Sequence, residues 1–176
     1  MKILIFAASL RKDSYHKKLG RLALQQIQEM GSPYEAELVE LNDFEMPIFN
    51  EDLEVNGLPA SVTAFAQKVS SAHAVIIAEP EYNGCITPIL KNTVDWLSRL
   101  KPHPWLGKPV FLMAASEGGL GGIRGIYHSR LPFDNLGAHV FGQYFSLPKV
   151  HENLESAGPR LKSSLEKFLT FSQRFS

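Results

Sequence analysis

The chain has 176 residues, which is enough to bury one hydrophobic core but too few for two comfortable domains. We therefore expect residues 1–176 to form a single domain. Hydrophobic residues make up 44% of the chain, and 18 basic residues balance 18 acidic ones. Because this balance leaves no excess of positive charge, nucleic acid is not an expected partner.

Along the chain, apolar runs alternate with helical patterns of apolar residues. The apolar runs predict five strands, at 2–8, 35–41, 74–78, 110–115 and 140–147. The helical patterns predict helices at 14–30, 60–71, 86–100, 123–136 and 161–175. A long loop is expected between residues 42 and 59, where proline, asparagine and acidic residues are frequent.

The apolar run near the amino terminus carries one basic residue, and Arg11, Lys12 and Asp13 follow it closely. A buried strand explains this run better than a signal peptide does, and no later apolar run is long enough to span a bilayer. The one cysteine, Cys85, suits a reducing compartment. We therefore expect a cytoplasmic protein with no membrane partner. The six histidines lack paired ligand spacing, so no metal site is expected.

Strands that are apolar throughout and separated by helices are typical of a parallel sheet covered on both faces. The predicted fold class is therefore α/β, a doubly wound five-stranded parallel sheet with helices on both faces. Ligands of such folds bind beyond the carboxyl ends of the strands. The loops after the first, third and fourth strands are thus expected to converge on one crevice.

The loop after the first strand carries two hydroxyls and an arginine, from Ser9, Ser14 and Arg11. Together with the amides that open the next helix, they could face one anion, because a helix N-terminus and a guanidinium both favour negative charge. The loop contains neither a G-x-G-x-x-G nor a G-K-[ST] motif, so it is neither a Rossmann site nor a P-loop. A glycine-free loop with hydroxyls and an arginine is one that a mononucleotide phosphate could use. The alternative is an ordinary loop in which Ser14 caps the helix and Arg11 is solvated.

Two further loops follow the third and fourth strands. In the first of these, Pro80 and Gly84 bracket a tight turn whose amides could point outward together, toward the edge of an oxidised flavin ring. In the second, four glycines between Gly118 and Gly122 let a backbone approach a flat ligand closely and can form anion-binding nests of amides. The alternatives are a plain strand-to-helix turn and a flexible loop.

These motifs carry a resemblance to a known family. Ser9-x-Arg11-x-x-Ser14 resembles its FMN phosphate loop, and Pro80-Glu81-Tyr82-Asn83, followed by Leu90-Lys91-Asn92 and Asp95-Trp96, resembles its flavin-ring loop. Ser116-x-Gly118-Gly119-x-Gly121-Gly122-x-Arg124 resembles the third loop, and Leu136-Gly137-Ala138 the turn before the last strand. On these residues the chain resembles the NADPH-dependent FMN reductase family from about residue 2 to residue 147.

The resemblance implies a flavodoxin-like fold and an enzyme that binds FMN non-covalently. Such an enzyme uses NADPH or NADH to reduce flavin, quinone or a similar small acceptor in a ping-pong transfer of hydride and electrons. The flavin carries the chemistry, so no catalytic side chain is expected. Family members are dimers or tetramers, so the resemblance also implies a homodimer or homotetramer.

The resemblance assigns site residues one by one. The implied FMN-binding residues are Ser9, Arg11, Ser14, His16, Pro80, Glu81, Tyr82, Asn83, Gly84, Ser116, Gly118 and Gly119. The implied candidates for binding NAD(P)H are Arg11 and Arg124.

The chain departs from the family pattern at four positions. Ala8 stands where glycine is usual, His16 where asparagine is usual, Cys85 where serine is common and Glu117 where proline is frequent. His16 could still donate to a phosphate, and Glu117 either brings a negative charge near the flavin or points to solvent. Cys85 is either a redox thiol or a small residue at a helix start.

Two other functions fit the same fold class. One is a flavodoxin-type electron carrier, although the chain is neutral and lacks the T-x-T-G-x-T loop of flavodoxins. The other is a flavin-free sensor that keeps the fold. An apolar cluster is either an exposed subunit interface or ordinary core; its members are Trp96, Leu97, Leu100, Trp105 and Leu106.

Overall fold

The computed structural model describes residues 1–175, which form a parallel sheet between two layers of helices. The strands are β1 (Lys2–Ala7), β2 (Glu35–Glu40), β3 (Ala74–Ala78), β4 (Pro109–Ala115), β5 (His139–Val140) and β6 (Phe145–Leu147). The strand order is β2-β1-β3-β4-β5, every pair is parallel, and β6 also pairs with β4. This 2-1-3-4-5 order is that of flavodoxin-like doubly wound sheets, and it confirms the predicted fold class.

The helices lie close to their predicted positions. They are α1 (Tyr15–Met30), α2 (Glu51–Glu54), α3 (Ala60–Ser71), α4 (Pro88–Ser98), α5 (Ile123–Asn135), α6 (Val150–Asn153) and α7 (Gly158–Ser172), with 3₁₀ turns at Leu41–Asp43 and Gln173–Phe175. The predicted loop at 42–59 therefore contains one short helix, α2, and most of a 3₁₀ turn. No helix within residues 1–175 combines the length and the apolar content needed to cross a membrane.

The last predicted strand, 140–147, is interrupted, so the described sheet has six strands rather than five. β5 pairs with the beginning of β4 and β6 with its end, along the same edge. Between them the chain leaves the sheet, and the guanidinium of Arg130 donates to the carbonyls of Phe141 and Val140 at 2.8 and 3.3 Å. A side chain thus satisfies two backbone carbonyls where the strand is interrupted.

Alternate residues of β1 face opposite layers of helices. Leu4 and Phe6 belong to the cluster that includes α3, α4 and α5, whereas Ile3 and Ile5 belong to the cluster with α1 and α7. All four side chains are buried. The sheet is therefore covered on both faces, as its uniformly apolar strands predict.

The structure decides in favour of core for most of the apolar cluster near residue 100. Trp96, Leu97 and Trp105 are fully buried within the chain, so of the two alternatives for these residues the structure supports core. The indole N–H of Trp96 donates to the carbonyl of Pro47 at 2.7 Å. Pro47 lies in the long segment 42–59, so that segment covers a face of α4 that the sequence alone left open. Leu106 is exposed.

Candidate functional site

A cleft of about 540 Å³ lies beyond the carboxyl ends of β1, β3 and β4. The three loops identified in the sequence do converge here, at the point between β1 and β3 where the strand order reverses. The predicted site residues that line the cleft are Ser9, Arg11, Ser14, His16, Pro80, Glu81, Tyr82, Ser116, Gly118, Gly119 and Arg124. Lining residues that the sequence analysis did not propose as ligands include Tyr15, Ala115 and Leu120.

The first loop presents donors suited to an anion. Ser14 is the N-cap of α1, and its hydroxyl oxygen accepts from the N–H of His16 at 3.1 Å. The buried hydroxyl of Ser9 has no hydrogen-bond partner within residues 1–175, and across the same span the exposed guanidinium of Arg11 has no ion-pair partner. Two hydroxyls, one guanidinium and a helix N-terminus therefore meet at this end of the cleft.

His16 links the first loop to the third. Its Nε2 accepts from the backbone N–H of Ala115 at 3.1 Å, so the neutral ring carries its proton on Nδ1. Burial, and then the positive charge of Arg11, lowers the pKa of His16 to about 4. The ring is therefore neutral at physiological pH, and Nδ1–H is its one donor.

The second loop contains a two-residue hairpin turn. Tyr82 and Cys85 exchange backbone hydrogen bonds of 3.1 and 3.0 Å, and φ is positive at both Asn83 (52°) and Gly84 (79°). These are the features of a type I′ turn, for which Asn-Gly is the preferred sequence. Tyr82 lines the cleft, whereas Asn83 and Gly84 form the adjoining turn and do not line it. These two predicted ligands therefore lie beside the cleft, and a Cβ at Gly84 would lie 3.8 Å from Nε of Arg124, which lines it.

Glu81 joins the second loop to the third. Its Oε1 accepts from Nε of Arg124 at 2.8 Å, and its Oε2 accepts from the backbone N–H groups of Arg124 and Gly125 at 3.0 and 3.2 Å. Burial alone would raise the pKa of Glu81, but the hydrogen bonds from Arg124 and Gly125 outweigh it and hold the pKa below its ordinary value. Arg124 is therefore already paired with a carboxylate, in contrast to Arg11.

The glycines of the third loop fall into two groups. A Cβ at Gly121 would lie 2.2 Å from a side-chain oxygen of β6, and one at Gly122 would lie 2.8 Å from a side-chain carbon of β4. These two glycines are therefore required for packing. A Cβ at Gly119 would meet nothing within 4 Å, and Gly118 is nearly as open. The hydroxyl of Ser116 donates to the carbonyl of Gly118 at 3.1 Å and so shapes the open part of the loop.

Two buried polar residues behind the second loop were missed by the sequence analysis. Glu79 directly follows β3 and is fully buried, and its Oε1 accepts from the N–H of Thr87 at 2.6 Å. Thr87 is the N-cap of α4. Burial raises the pKa of Glu79 to about 8, against the weaker effects of its hydrogen bonds with Thr87 and of the nearby Ser129 hydroxyl. The available signal was the position of an acid immediately after an apolar strand.

The remaining departures from the family pattern have distinct surroundings. Ala8 is buried, and its N–H donates to the carbonyl of Ala78 at 2.9 Å, so it extends the pairing of β1 with β3. Glu117 is exposed and lines the cleft. Cys85 is an exposed free thiol, 3.4 Å from Nδ1 of His128. Within residues 1–175, no group of three or more potential ligands is arranged to hold a metal ion.

The strand order and the cleft define this chain as a flavodoxin-like α/β protein with a cleft at the switch point of its sheet. The family model for NADPH-dependent FMN reductases matches residues 1–152. The chain belongs to the NADPH-dependent FMN reductase family, which confirms the resemblance seen in its motifs.

Individual relatives agree with this assignment. An NADPH:quinone oxidoreductase of Arabidopsis thaliana is 38% identical over 131 residues, which are 74% of this chain and 65% of that relative, just under two thirds of its length. An NAD(P)H-dependent FMN reductase of Pseudomonas aeruginosa is 36% identical over 162 residues, covering 92% of this chain and 84% of the relative. A solved structure, the flavoenzyme NAD(P)H:(acceptor) oxidoreductase of Paracoccus denitrificans, matches with a TM-score of 0.83 at 23% identity, over 99% of this chain and 98% of the other. This structural match supports the fold.

Proposed function

We propose that the protein is an FMN-dependent NAD(P)H oxidoreductase that reduces quinone, flavin or a similar small acceptor. One observation carries the proposal: a single cleft at the switch point combines an anion-binding loop with an open, glycine-lined loop. Membership of the FMN reductase family and the quinone and FMN reductases among the relatives support it. They do not favour the flavodoxin-type carrier.

The residues of the cleft fit FMN. A phosphate dianion suits the Arg11 guanidinium, the Ser9 and Ser14 hydroxyls and the N-terminus of α1, because each of them donates to or attracts an anion. Open space at Gly119 leaves room for a flat ring. The cleft volume of about 540 Å³ lies in the range of small-molecule sites.

FMN, when bound, supplies the redox chemistry, since it can take a hydride from NAD(P)H and pass electrons to an acceptor. The chain's own residues bind and orient the cofactor and the substrates. His16 is neutral and so adds no charge beside the phosphate site, while Arg124 is neutralised by Glu81. Arg11 is therefore the better candidate for the phosphates of NAD(P)H as well. No side chain is required as an acid or base.

Flavin content and steady-state kinetics test this function. The purified protein should release FMN on denaturation, and it should oxidise NADPH or NADH in the presence of a benzoquinone. Because one cleft serves both substrates in turn, double-reciprocal plots at several quinone concentrations should give parallel lines. A protein that neither contains nor takes up FMN, or that binds FMN without any turnover, would contradict the proposal.

We also propose that the chain forms a homodimer or homotetramer through the α4–α5 face. With Trp96 and Leu97 buried, the apolar side chains available on this face are those of Tyr127 and Leu131, which are 57% and 74% exposed. Leu131 borders a groove between α4 and α5. Neighbouring exposed apolar side chains of this kind often mark an interaction surface.

Sedimentation velocity at micromolar concentration tests the assembly. The wild type should sediment as a dimer or larger, and Leu131→Glu should shift it toward monomer because a charge would be buried at the contact. Val55→Glu serves as the matched control. Val55 is also apolar and exposed, but it directly follows α2 and belongs to neither α4 nor α5. A monomeric wild type, or equal effects of the two substitutions, would contradict this interface.

We further propose a cytoplasmic location. The free thiol of Cys85 is compatible with a reducing compartment. Cell fractionation tests this location, and recovery of the protein mainly from an oxidising compartment would contradict it.

A further inference from the structure

One buried carboxyl group ties together both ends of the second loop. Glu79 directly follows β3, the strand before the loop, and Thr87 is the N-cap of α4, the helix after it. The two carboxyl oxygens of Glu79 lie 2.6 Å from the backbone nitrogen and 3.2 Å from the hydroxyl of Thr87. Because both oxygens contact Thr87, the carboxyl group links the two ends of segment 80–86.

The same hydroxyl reaches the first loop. Oγ1 of Thr87 lies 3.4 Å from the carbonyl oxygen of Ala8, the residue before Ser9. This hydroxyl has one proton, so it cannot donate to Ala8 and to Glu79 at once. When Glu79 is a neutral acid, it donates to Thr87, and Thr87 donates to Ala8. When Glu79 is ionised, Thr87 must donate to it, and the link to the first loop is lost.

The surroundings of Glu79 favour the neutral acid. Within residues 1–175, no lysine, arginine or histidine forms an ion pair with it, and the nearby acid Glu81 is itself paired with Arg124. Thr87 faces the carboxyl group of Glu79 from the start of α4, and Ser129 faces the same carboxyl group from α5. The buried hydroxyl of Ser129 makes no hydrogen bond in this arrangement. A buried carboxylate without a cation is costly, and burial raises the pKa of Glu79 to about 8.

We propose that Glu79 is a positioning residue for the flavin site: as a neutral acid it holds segment 80–86 against the first loop, and its ionisation breaks that link and weakens FMN binding. The proposal rests on the proposed function, because FMN is the ligand whose two contact loops are joined. Glu79 acts through Thr87 and touches no ligand itself.

Infrared spectroscopy reads the protonation of this carboxyl group directly, with or without flavin. At about pH 6.5 the wild type should show the C=O stretch of a protonated carboxylic acid, and Glu79→Gln should lack it. The band should disappear as the pH rises through about 8. Its absence from the wild type at about pH 6.5, or its persistence in Glu79→Gln, would overturn the proposal.

The release of FMN from the loaded protein supplies the second readout. Between about pH 6.5 and about pH 9, FMN affinity of the wild type should fall by about fivefold, the effect of one lost hydrogen bond. Glu79→Gln should hold FMN with little change, because its amide accepts from the N–H and donates to the hydroxyl of Thr87 at every pH. Thr87→Val removes the shared hydroxyl and should weaken FMN binding already at about pH 6.5.

The exposed acid Glu155 provides a matched control, and Glu155→Gln should keep the pH dependence of the wild type. Equal pH profiles for wild type and Glu79→Gln, with FMN bound by both, would overturn the proposal for Glu79 and leave the proposed function standing. Failure of the wild type to bind FMN at either pH would overturn both.

Discussion

Two arginines line the cleft, and their surroundings differ. Arg124 is held by the carboxylate of Glu81, whereas Arg11 makes no ion pair with any described residue. Both guanidinium groups carry a full charge, but that of Arg124 is already compensated. A ligand anion therefore gains more from Arg11, which stands beside the Ser9 and Ser14 hydroxyls.

Arg11→Ala should weaken FMN binding by about tenfold or more, since a charge-assisted hydrogen bond contributes about 1.5–3 kcal/mol. Riboflavin binding should change much less, because riboflavin has no phosphate for the guanidinium to meet. Fluorescence titration of the apoprotein with each flavin measures both affinities. Arg124→Ala is the matched control and should affect FMN less than Arg11→Ala does. Equal losses for FMN and riboflavin in Arg11→Ala would contradict the phosphate assignment.

At the scale of elements, α5 is capped from another loop. Its own N-cap residue, Gly122, offers no side chain, and the carboxylate of Glu81 accepts from the first-turn amides instead. A Cβ at Gly125 would lie 3.0 Å from Cα of Glu81, so this glycine permits the close approach. The second loop and α5 are therefore stabilised together.

Glu81→Gln should lower the free energy of unfolding by about 1 kcal/mol, because it keeps the shape of the cap and removes the charge that favours a helix N-terminus. Urea unfolding at low and high salt measures the effect, which should shrink as salt screens the charge. Glu117→Gln is the control, since Glu117 is exposed and should change stability by less than about 0.5 kcal/mol. Similar losses in the two variants would rule out the capping role.

The elements themselves were largely predictable because their apolar periodicity is local. The interruption between β5 and β6 was not, since the carbonyls there are satisfied by Arg130 from α5, a contact that periodicity does not reveal. The burial of Trp96 was not predictable either, because an apolar face on α4 looks the same whether a partner subunit or segment 42–59 covers it.

The convergence of three loops was predictable in the same way, because parallel strands place their carboxyl ends at one edge. The partners of His16 and Glu79 were not predictable. His16 meets Ala115 through packing between residues far apart in the chain, and Glu79 is buried behind a turn. The pairing of Arg124 with Glu81 likewise needs the geometry of two loops at once.

For the whole molecule, two buried groups make stability depend on pH in opposite directions. The pKa of Glu79 rises from 4.5 to about 8 on folding, so the folded state binds more protons in that window and stability falls as pH rises. The pKa of His16 falls from 6.5 to about 4 on folding, so the folded state binds fewer protons there and stability rises with pH. The two contributions to the pH dependence of stability offset each other below about pH 6.5. Above about pH 6.5, of these two groups only Glu79 contributes.

The free energy of unfolding should therefore fall between about pH 6.5 and pH 8, through Glu79, by up to about 1.4 kcal/mol per pH unit. Glu79→Gln should remove this component, because the amide does not titrate. Urea unfolding of both proteins at several pH values measures the difference in slope. The same slope in both proteins would show that Glu79 does not take up a proton on folding.

The proposal that this one cleft passes electrons from NAD(P)H to an acceptor is tested most directly by two anaerobic half-reactions on the flavin-loaded protein. One equivalent of NADPH or NADH per chain should abolish the absorbance of oxidised flavin, and a quinone added afterwards should restore it fully without dissociation of FMN. Retention of the oxidised-flavin absorbance in the presence of both NADPH and NADH would contradict the assignment of this protein as an NAD(P)H-dependent reductase.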